Sequence, residues 1–408
     1  MDGRLEMPDL TTFKNYVAIE DWLAEQDPNW EKAVADLGKP LVLLGHEGYS
    51  GGPQAALLAH PDWRCVYFDA LAAVFVPRDR VSESDFPSVD FAARHFQEPA
   101  RPSVPNVRRA AAREMKALYN LAAALPAGSI RRWRTSLLLA ALDRARVALA
   151  EDENQPDVWI LLGNCYRDLH LDTATVPFSP FDSWQVERDL RWAQTTYCFQ
   201  RALKLHPDNG TAWRYLAMSY AQRGLVEAEL AASEQWLRFD PKVSPRQRKQ
   251  VAERRRAFAL AQPSANLSER PITIIEQSEA SGRTSWNWPV AERLAGLYMH
   301  LGRPADARRV WEEASDCPSP AIRHCRLACT FWVERDFDAA LGHYRAARKA
   351  DPKWAETYWG LALLHTQLGK ARAALESSRQ GLSLSLKPQQ RSQMEALQTF
   401  LAAYAGKE

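Results

Sequence analysis

Apolar positions in the second half of the chain recur with a period of about 33–34 residues, a length typical of repeated helix pairs. The period is carried by a small–large–small triplet, found at Ala307, Trp311 and Ala314 and again one period later at Ala340, Tyr344 and Ala347. A small residue returns one further period on, at Ala374, and two prolines upstream are separated by the same interval. Apolar residues spaced three or four apart predict helices, and a fixed period of this length predicts a stack of helix pairs.

Each unit places small residues where its two helices would cross and large residues where neighbouring units would meet. A glycine or alanine at the crossing lets two antiparallel helices approach closely. A proline ends several second helices, because it lacks an N–H donor and clashes with the preceding turn. One such pair cannot bury its apolar face alone, so the pattern predicts several stacked pairs.

These units resemble tetratricopeptide repeats, whose first helix carries Trp-x2-Leu-Gly-x2-Tyr and whose second carries Ala-x3-Phe and a final proline. The matching residues include Trp159, Leu162, Gly163, Tyr166, Phe199, Ala202, Pro207, Trp213, Leu216, Ala217, Tyr220, Leu294, Ala295, Tyr298, Leu327, Ala328, Phe331, Tyr358, Leu361 and Ala362. The resemblance implies a mainly α fold, with a tetratricopeptide-type α-solenoid of helix hairpins. It also implies a non-catalytic protein–protein interaction scaffold.

The N-terminal part of the chain, up to position 80, follows a different pattern. Short aromatic and β-branched runs predict strands at residues 40–44, 65–69 and 72–76, with helices at 13–26, from Trp30 and at 55–60. We therefore predict a small α/β module at 1–80, a proline-rich linker at 81–106 and the solenoid at 107–405. Within the solenoid, an aromatic and polar insertion lies at 169–188 and a capping helix at 388–404.

Charge is distributed unevenly along the chain. Residues 1–100 carry 8 Lys+Arg against 17 Asp+Glu, and the remainder carries 52 − 8 = 44 against 50 − 17 = 33. This asymmetry indicates one of two arrangements: the acidic N-terminal part docks on the basic repeats, or the repeats face an acidic partner, which would be a protein or peptide. No uniform basicity indicates nucleic acid binding. Two basic runs, 101–116 and 246–256, are predicted to be solvated helix faces, with an anionic surface as the alternative.

No cofactor or metal site is predicted. The six cysteines are scattered, and the nearest approach to a metal pattern, His324 with Cys325 and Cys329, lacks a CxxC pair. No apolar run is long enough to span a membrane, and no signal peptide begins the chain.

The first module also resembles the soluble segment after the last membrane span of bacterial lipid-linked-sugar glycosyltransferase-type membrane proteins. The residues that carry this resemblance are Asp2-Gly3-Arg4-Leu5-Glu6-Met7, Tyr16, Trp30, 41–44, Trp63, Val66, Tyr67, Asp69 and Val74-Phe75-Val76. It implies an alternative function as the extracytoplasmic tail of such a protein, possessing no transferase site of its own. If the chain is complete, the expected compartment is the cytoplasm. If the chain is the tail of a membrane protein, we expect it on the extracytoplasmic face of the membrane, in association with a membrane complex.

A third hypothesis rests on the sequence Gly48-Tyr49-Ser50-Gly51-Gly52, which fits the G-x-S-x-G pattern of a serine hydrolase. Ser50 would need a histidine base, and His60 and His95 are the nearest candidates. The surrounding sequence lacks the many strands such a fold requires. We therefore expect a glycine-rich loop, and no catalytic residues.

The repeat resemblance also implies a partner-binding groove lined by the first helix of each pair. Carried over position by position, its residues are Asn164, Arg167, Arg214, Tyr215, Met218, Gln222, Arg293, His300, Arg326, Trp332, Trp359 and Gln367. Arginine can bind a carboxylate through two parallel hydrogen bonds, and Tyr and Trp offer rigid contact area. This set suits a peptide with acidic residues.

Overall fold

The structure is a computed structural model, and it describes residues 18–19, 21–23, 25, 27–46, 51–96, 109–125, 131–171, 190–260, 270–282 and 286–404. The chain forms two compact units, Met1–Glu151 and Asp152–Glu408. Helices dominate both units, and one small sheet lies near the N-terminus. The predicted mainly α fold class is therefore confirmed.

The first unit contains a three-stranded antiparallel sheet in the order β1-β3-β2. Its strands are β1 (Val42–Gly45), β2 (Trp63–Phe68) and β3 (Ala72–Pro77). Phe75 and Ala73 of β3 are fully buried on one face of the sheet, as the two-residue period of a strand requires. All three strands overlap the predicted positions and differ from them only at their ends.

The described part of the first unit also contains the helices α1 (Asn29–Asp36), α2 (Gly52–Ala59), α3 (Phe91–Phe96), α4 (Ala110–Ala124) and α5 (Arg131–Glu151), and residues 18–19, 21–23 and 25 are helical as well. Helix α4 pairs with α5, and it also contacts α2. At that contact Gly51 has φ +85°, and an added Cβ would lie 2.7 Å from the backbone of Asn120. The short helix α3 falls within residues 81–106, and its phenylalanines, Phe91 and Phe96, are buried. Helices α4 and α5 thus belong to the same compact unit as the sheet.

The second unit consists of helices that pack mainly as consecutive antiparallel pairs. Their bounds are α6 (Pro156–Leu171), α7 (Leu190–Leu205), α8 (Gly210–Gln222), α9 (Val226–Phe239), α10 (Pro245–Leu260), α11 (Pro271–Ala280), α12 (Trp288–His300), α13 (Pro304–Glu313), α14 (Pro320–Val333), α15 (Phe337–Ala350), α16 (Ala355–Gln367), α17 (Ala371–Leu382) and α18 (Pro388–Ala402). Two-residue strands β4 (Trp286–Asn287) and β5 (Ala314–Ser315) pair in parallel beside α12.

The small residues of the repeat pattern lie where the helices cross. An added Cβ on Gly163 would lie 2.7 Å from the ring of Phe199, which joins α6 to α7. An added Cβ on Gly360 would lie 2.5 Å from Cζ of Tyr344, which joins α16 to α15. The small and large residues therefore recur at a fixed interval in the sequence because each helix pair packs through the same kind of close crossing.

The final helix covers the end of the stack. Met394, Leu397 and Leu401 of α18 are fully buried, and Met394 lies against Gly381 of α17. Within the ranges that the structure describes, no helix has the length and apolar character needed to cross a bilayer.

Candidate partner-binding surface

Helix α7 contacts the first helices of later pairs as well as its own partner α6. The Arg191 guanidinium donates to the side-chain oxygen of Gln367 on α16 at 3.2 Å. The same oxygen accepts from Trp332 Nε1 of α14 at 2.9 Å, and the Gln367 amide donates to the Tyr166 hydroxyl of α6 at 2.9 Å. Arg191 also stacks over the rings of Tyr166 and Trp332, each 5.7 Å away. One polar cluster therefore ties α6 and α7 to α14 and α16.

The other end of α7 lies against the end of α12. The Gln200 amide donates to the backbone oxygen of Leu301 and, at 3.2 Å, to the Tyr220 hydroxyl. Gly302 has φ +72°, and an added Cβ would lie 3.0 Å from the backbone nitrogen of Tyr197. Only glycine accommodates both this conformation and this approach. Helix α7 thus packs along faces that the sequence predicts to line a groove.

Five predicted groove residues are buried as a consequence of such packing. Trp332 and Trp359 have no exposed surface. Asn164, Arg326 and Gln367 are also buried, at 2%, 6% and 8% exposure. The predicted placement of these side chains on an open groove surface is wrong in this structure, because neighbouring helices cover them.

Arg326 is held by two carboxylates from the helices on either side. Its Nε lies 3.0 Å from Glu292 Oε1 of α12, and its Nη1 lies 3.8 Å from Glu356 Oε2 of α16. Burial alone would lower the pKa of the guanidinium, but Glu292 and Glu356 raise it further than burial lowers it. Arg326 therefore links α14 to α12 and α16, the first helices of the neighbouring pairs, through ion pairs.

Three further predicted residues are half-buried in internal contacts. The Arg167 guanidinium bonds to Asp168 Oδ1 at 2.9 Å and stacks over the ring of Tyr215 at 5.4 Å. Tyr215 in turn stacks on Phe199, with ring centroids 5.6 Å apart. The ring of His300 lies 2.7 Å from an Arg223 nitrogen. These side chains mainly connect neighbouring helices.

The remaining predicted residues, Arg214, Met218, Gln222 and Arg293, are exposed. Arg214 and Met218 of α8 line an open cavity of about 600 Å³. Its walls come from α8, α9 and α10, and are formed by Arg214, Ala217, Met218, Ala221, Glu229, Ser233, Trp236, Gln247, Gln250, Val251, Glu253 and Arg254. A second cavity of about 440 Å³ shares Arg214, Trp236 and Gln247. We call these two adjoining cavities the α8–α10 trough.

Charged groups of both signs line the α8–α10 trough: Arg214, Lys242 and Arg254, with the carboxylates of Glu229, Asp240 and Glu253. Arg254 bonds to the buried carboxylate of Glu229 at 2.7 Å. Burial raises the pKa of Glu229, and Arg254 offsets part of that shift. The Arg214 guanidinium stacks over Trp236 at 6.0 Å. The Asp240 carboxylate also lines the trough, and its pKa is lowered chiefly by the hydrogen bond from Trp236, with a smaller contribution from the charge of Arg214. Among the described residues no carboxylate oxygen is recorded within 4.0 Å of Arg214, so its N–H groups can still donate to a ligand.

Helix α10 forms one wall of the trough and adds positive charge. It carries six arginine and lysine residues against one glutamate, and none of its side chains is buried. Two of its arginines are paired with α9, through Arg254–Glu229 and Arg255–Glu234, each at 2.7 Å. The other basic residues of α10 do not line the trough, and Lys249 lies 3.8 Å from Glu253. They therefore add positive charge around the trough and not within its lining.

The sequence model of the tetratricopeptide repeat family matches residues 197–244 and 325–381. This chain carries tetratricopeptide repeats. Its first matched segment contains α8 and α9, two of the three helices of the trough, and its second contains most of α14 and all of α15 and α16. Such repeats bind proteins or peptides, so the fold supports a protein-interaction scaffold. No curated protein sequence matches the chain.

Solved structures of other repeat proteins align with the chain at low similarity. YrrB, described as a TPR protein with an unusual peptide-binding site, is 15% identical over 65% of this chain and 98% of its own, with a TM-score of 0.23. A tetratricopeptide repeat protein from Parabacteroides merdae is 14% identical over 64% and 92%, with a TM-score of 0.26. Yeast Tom70 is 13% identical over 78% and 69%, with a TM-score of 0.28. At these scores, none of the three alignments identifies a partner.

Other residues singled out in the sequence fall outside the binding surface of the repeats. Ser50 and most of the insertion at 169–188 lie outside the described residues. His60 lies 3.4 Å from Glu31, and His95 is buried. Cys325 and Cys329 are buried, and within the described ranges no group of three metal-ligating side chains comes together. The resemblance of residues 1–80 to a membrane-protein tail stays a prediction.

Most of the lining of the trough comes from residues that were not predicted to lie in the groove, since only Arg214 and Met218 were. Trp236 lies in a degenerate second helix, and Gln247, Gln250 and Val251 lie in a segment that matches the repeat poorly. The signal near them in the sequence is Pro241, which cannot continue α9. The helix that follows, α10, carries seven charged residues and buries no side chain, as is typical of an exposed wall.

Proposed function

We propose that this chain is a non-catalytic scaffold whose tetratricopeptide repeats bind a peptide segment of a partner protein in the α8–α10 trough. The observation that carries the proposal is the contrast between two sets of first helices. In the later repeats, Arg326, Trp332 and Trp359 are buried by neighbouring helices. In α8, Arg214 and Met218 stay exposed and line a cavity.

The lining of the trough suits a peptide. Met218 is 41% exposed, and with Ala221 and Val251 it offers an apolar surface that a partner side chain would cover. Trp236 is a rigid aromatic wall, and Gln247 and Gln250 offer hydrogen-bonding amides beside it. A site that is apolar with a few fixed polar groups is typical of specific recognition.

The guanidinium of Arg214 in the lining, and the excess of basic residues that α10 carries around the trough, favour an acidic partner. Complementary charge raises the rate of encounter and suppresses binding of basic proteins. The interaction should weaken as ionic strength rises, because exposed charges are screened beyond about 10 Å at 0.1 M salt.

Site-specific photo-crosslinking tests this proposal. A benzoylphenylalanine replaces Met218 in the trough, and a control protein carries it at Val290, which is 39% exposed on α12 and outside the trough. We expect a protein from the source cell extract to be crosslinked at position 218 and not at 290, and the purified form of that protein to compete with the crosslink.

Two results would contradict the proposal. One is equal crosslinking at both positions. The other is a captured protein that, once purified, binds wild-type chain and a chain carrying Arg214→Gln with the same affinity.

A further inference from the structure

We infer that the trough recognises an extended peptide segment in which a carboxylate side chain and a large apolar side chain are two positions apart. This inference rests on the proposed function and names the ligand chemistry of the same site. It follows from three features: a charged group, an apolar surface, and the distance between them.

The charged group is Arg214, in the middle of the trough. Its guanidinium carbon lies over the ring of Trp236, 6.0 Å from the centroid, which is within the range of a cation–π contact. Trp236 donates from Nε1 to Asp240 at 3.0 Å, so the indole is itself held in place. A planar guanidinium binds a carboxylate through two parallel hydrogen bonds, which gives both energy and geometric selection.

The apolar surface lies one helical turn further along α8. Met218 is flanked there by Ala217 and Ala221, whose small side chains leave space above the helix, and by Val251 of α10. Arg254 lines the same end, but its charge is compensated by Glu229. An apolar partner side chain fits this end better than a second carboxylate does.

The spacing of the two features matches an extended peptide. Arg214 and Met218 are four residues apart on α8, a separation of about 6 Å along the axis at about 1.5 Å per residue. Side chains two apart on one face of an extended strand are separated by about 6.6 Å. A helical partner would instead present the two side chains four positions apart, at about 6 Å.

The opposite wall favours the extended form. Gln247 Oε1 accepts from the backbone and hydroxyl of Ser244, each at 2.9 Å, which leaves the Gln247 amide N–H2 free to donate. An extended peptide has main-chain carbonyls that need donors, whereas the carbonyls of a helix are already bonded internally. An amide donor on this wall therefore serves an extended peptide.

A random dodecapeptide library displayed on phage, selected on the full chain, tests the inference. We expect enriched peptides with Asp or Glu two positions from Leu, Ile, Met, Phe or Trp, in either order. Synthetic versions should bind Arg214→Gln about tenfold more weakly than wild type. They should bind the control Arg293→Gln, an equal charge change on an exposed residue outside the trough, within twofold of wild type. Selection on Met218→Ser should keep the acidic preference and lose the apolar one.

The outcomes separate this inference from the function on which it rests. Enriched peptides without an acidic residue, with the two side chains four positions apart, or with unchanged affinity for Arg214→Gln would overturn the inference alone. A selection that enriches no peptide, together with no crosslinked protein at position 218, would overturn the proposed function as well.

Discussion

Replacing Arg326 with methionine should strongly destabilise the second unit, although the repeat pattern places this residue on a binding face. Its side chain is 8% exposed and lies between the carboxylates of Glu292 and Glu356, whose side chains are 29% and 12% exposed. Removing the guanidinium leaves Glu356 buried without this partner. Breaking a buried ion pair from one side costs about 3–5 kcal/mol.

Two features of the site place the expected cost near the lower end of that range. Glu292 keeps a hydrogen bond from Trp311 Nε1 at 2.9 Å and is partly hydrated. Glu356 lies in the first turn of α16, where the helix dipole favours negative charge. We therefore expect about 3 kcal/mol, which corresponds to a fall of about 6–12 °C in Tm for a unit of this size.

The assay is thermal unfolding followed by circular dichroism, with Arg293→Met as the matched control. Arg293 is exposed on α12, so its replacement should change the stability by less than about 0.5 kcal/mol. Adding Glu356→Met to Arg326→Met should restore part of the loss, because the buried carboxylate that lost the guanidinium of Arg326 is then removed as well. A fall in Tm that is equal for Arg326→Met and Arg293→Met would refute the assignment of Arg326 as an internal link between helices.

Three further predictions concern stability. Gly360→Ala should cost about 1–3 kcal/mol in chemical denaturation, because its Cβ would lie 2.5 Å from Cζ of Tyr344, whereas Gly342→Ala, with open space around it, should be neutral or stabilising. Burial, reinforced by nearby cations, lowers the pKa of His365 from 6.5 to about 4. The folded-state pKa is below the unfolded one, so stability should fall by about 2 kcal/mol as pH drops from about 6.5 to 4, and His365→Asn should flatten the measured profile in that window. Asn209→Ala should lower the denaturation midpoint by the equivalent of about 1 kcal/mol, because the Asn209 side chain accepts from Ala212 N at 2.9 Å and caps α8, and Asn209→Ser should retain most of that cap.

The helix pairs of the second unit were predictable from the sequence because local packing repeats at a fixed interval. Gly163 occurs where Phe199 crosses, and Gly360 occurs where Tyr344 crosses, so the period of small and large residues encodes each crossing directly. The strands of the first unit were predictable for a similar reason. Phe75 lies within a short aromatic and β-branched run and is fully buried.

The exposure of the groove residues was not predictable in the same way. The repeat pattern specifies how consecutive helices pack, but it contains no information on contacts between distant helices. The hydrogen bond between Gln367 and Tyr166 joins residues 201 positions apart, and Arg191 joins the same cluster from α7. Such contacts bury Trp332, but they do not change the spacing of small and large residues by which the repeats are recognised.

The α8–α10 trough shows the opposite limitation. Helix α10 buries no side chain, so the apolar signal that reveals the other helices is absent there. Charge alone indicated a solvated basic face. Only the structure shows that Gln247, Gln250 and Val251 of α10 line a trough together with Arg214 and Met218.

The most direct test of the central claim is the affinity of the crosslinked partner for a chain whose trough has been filled. Ala221 lines the trough and is exposed, so Ala221→Trp should occupy the space without entering the core. Ala252→Trp, on an exposed position of α10 outside the lining, is the matched control. By isothermal titration calorimetry, we predict that Ala221→Trp weakens binding at least tenfold and that Ala252→Trp leaves it within twofold of wild type. Equal affinity of both variants and wild type would contradict partner binding in the α8–α10 trough.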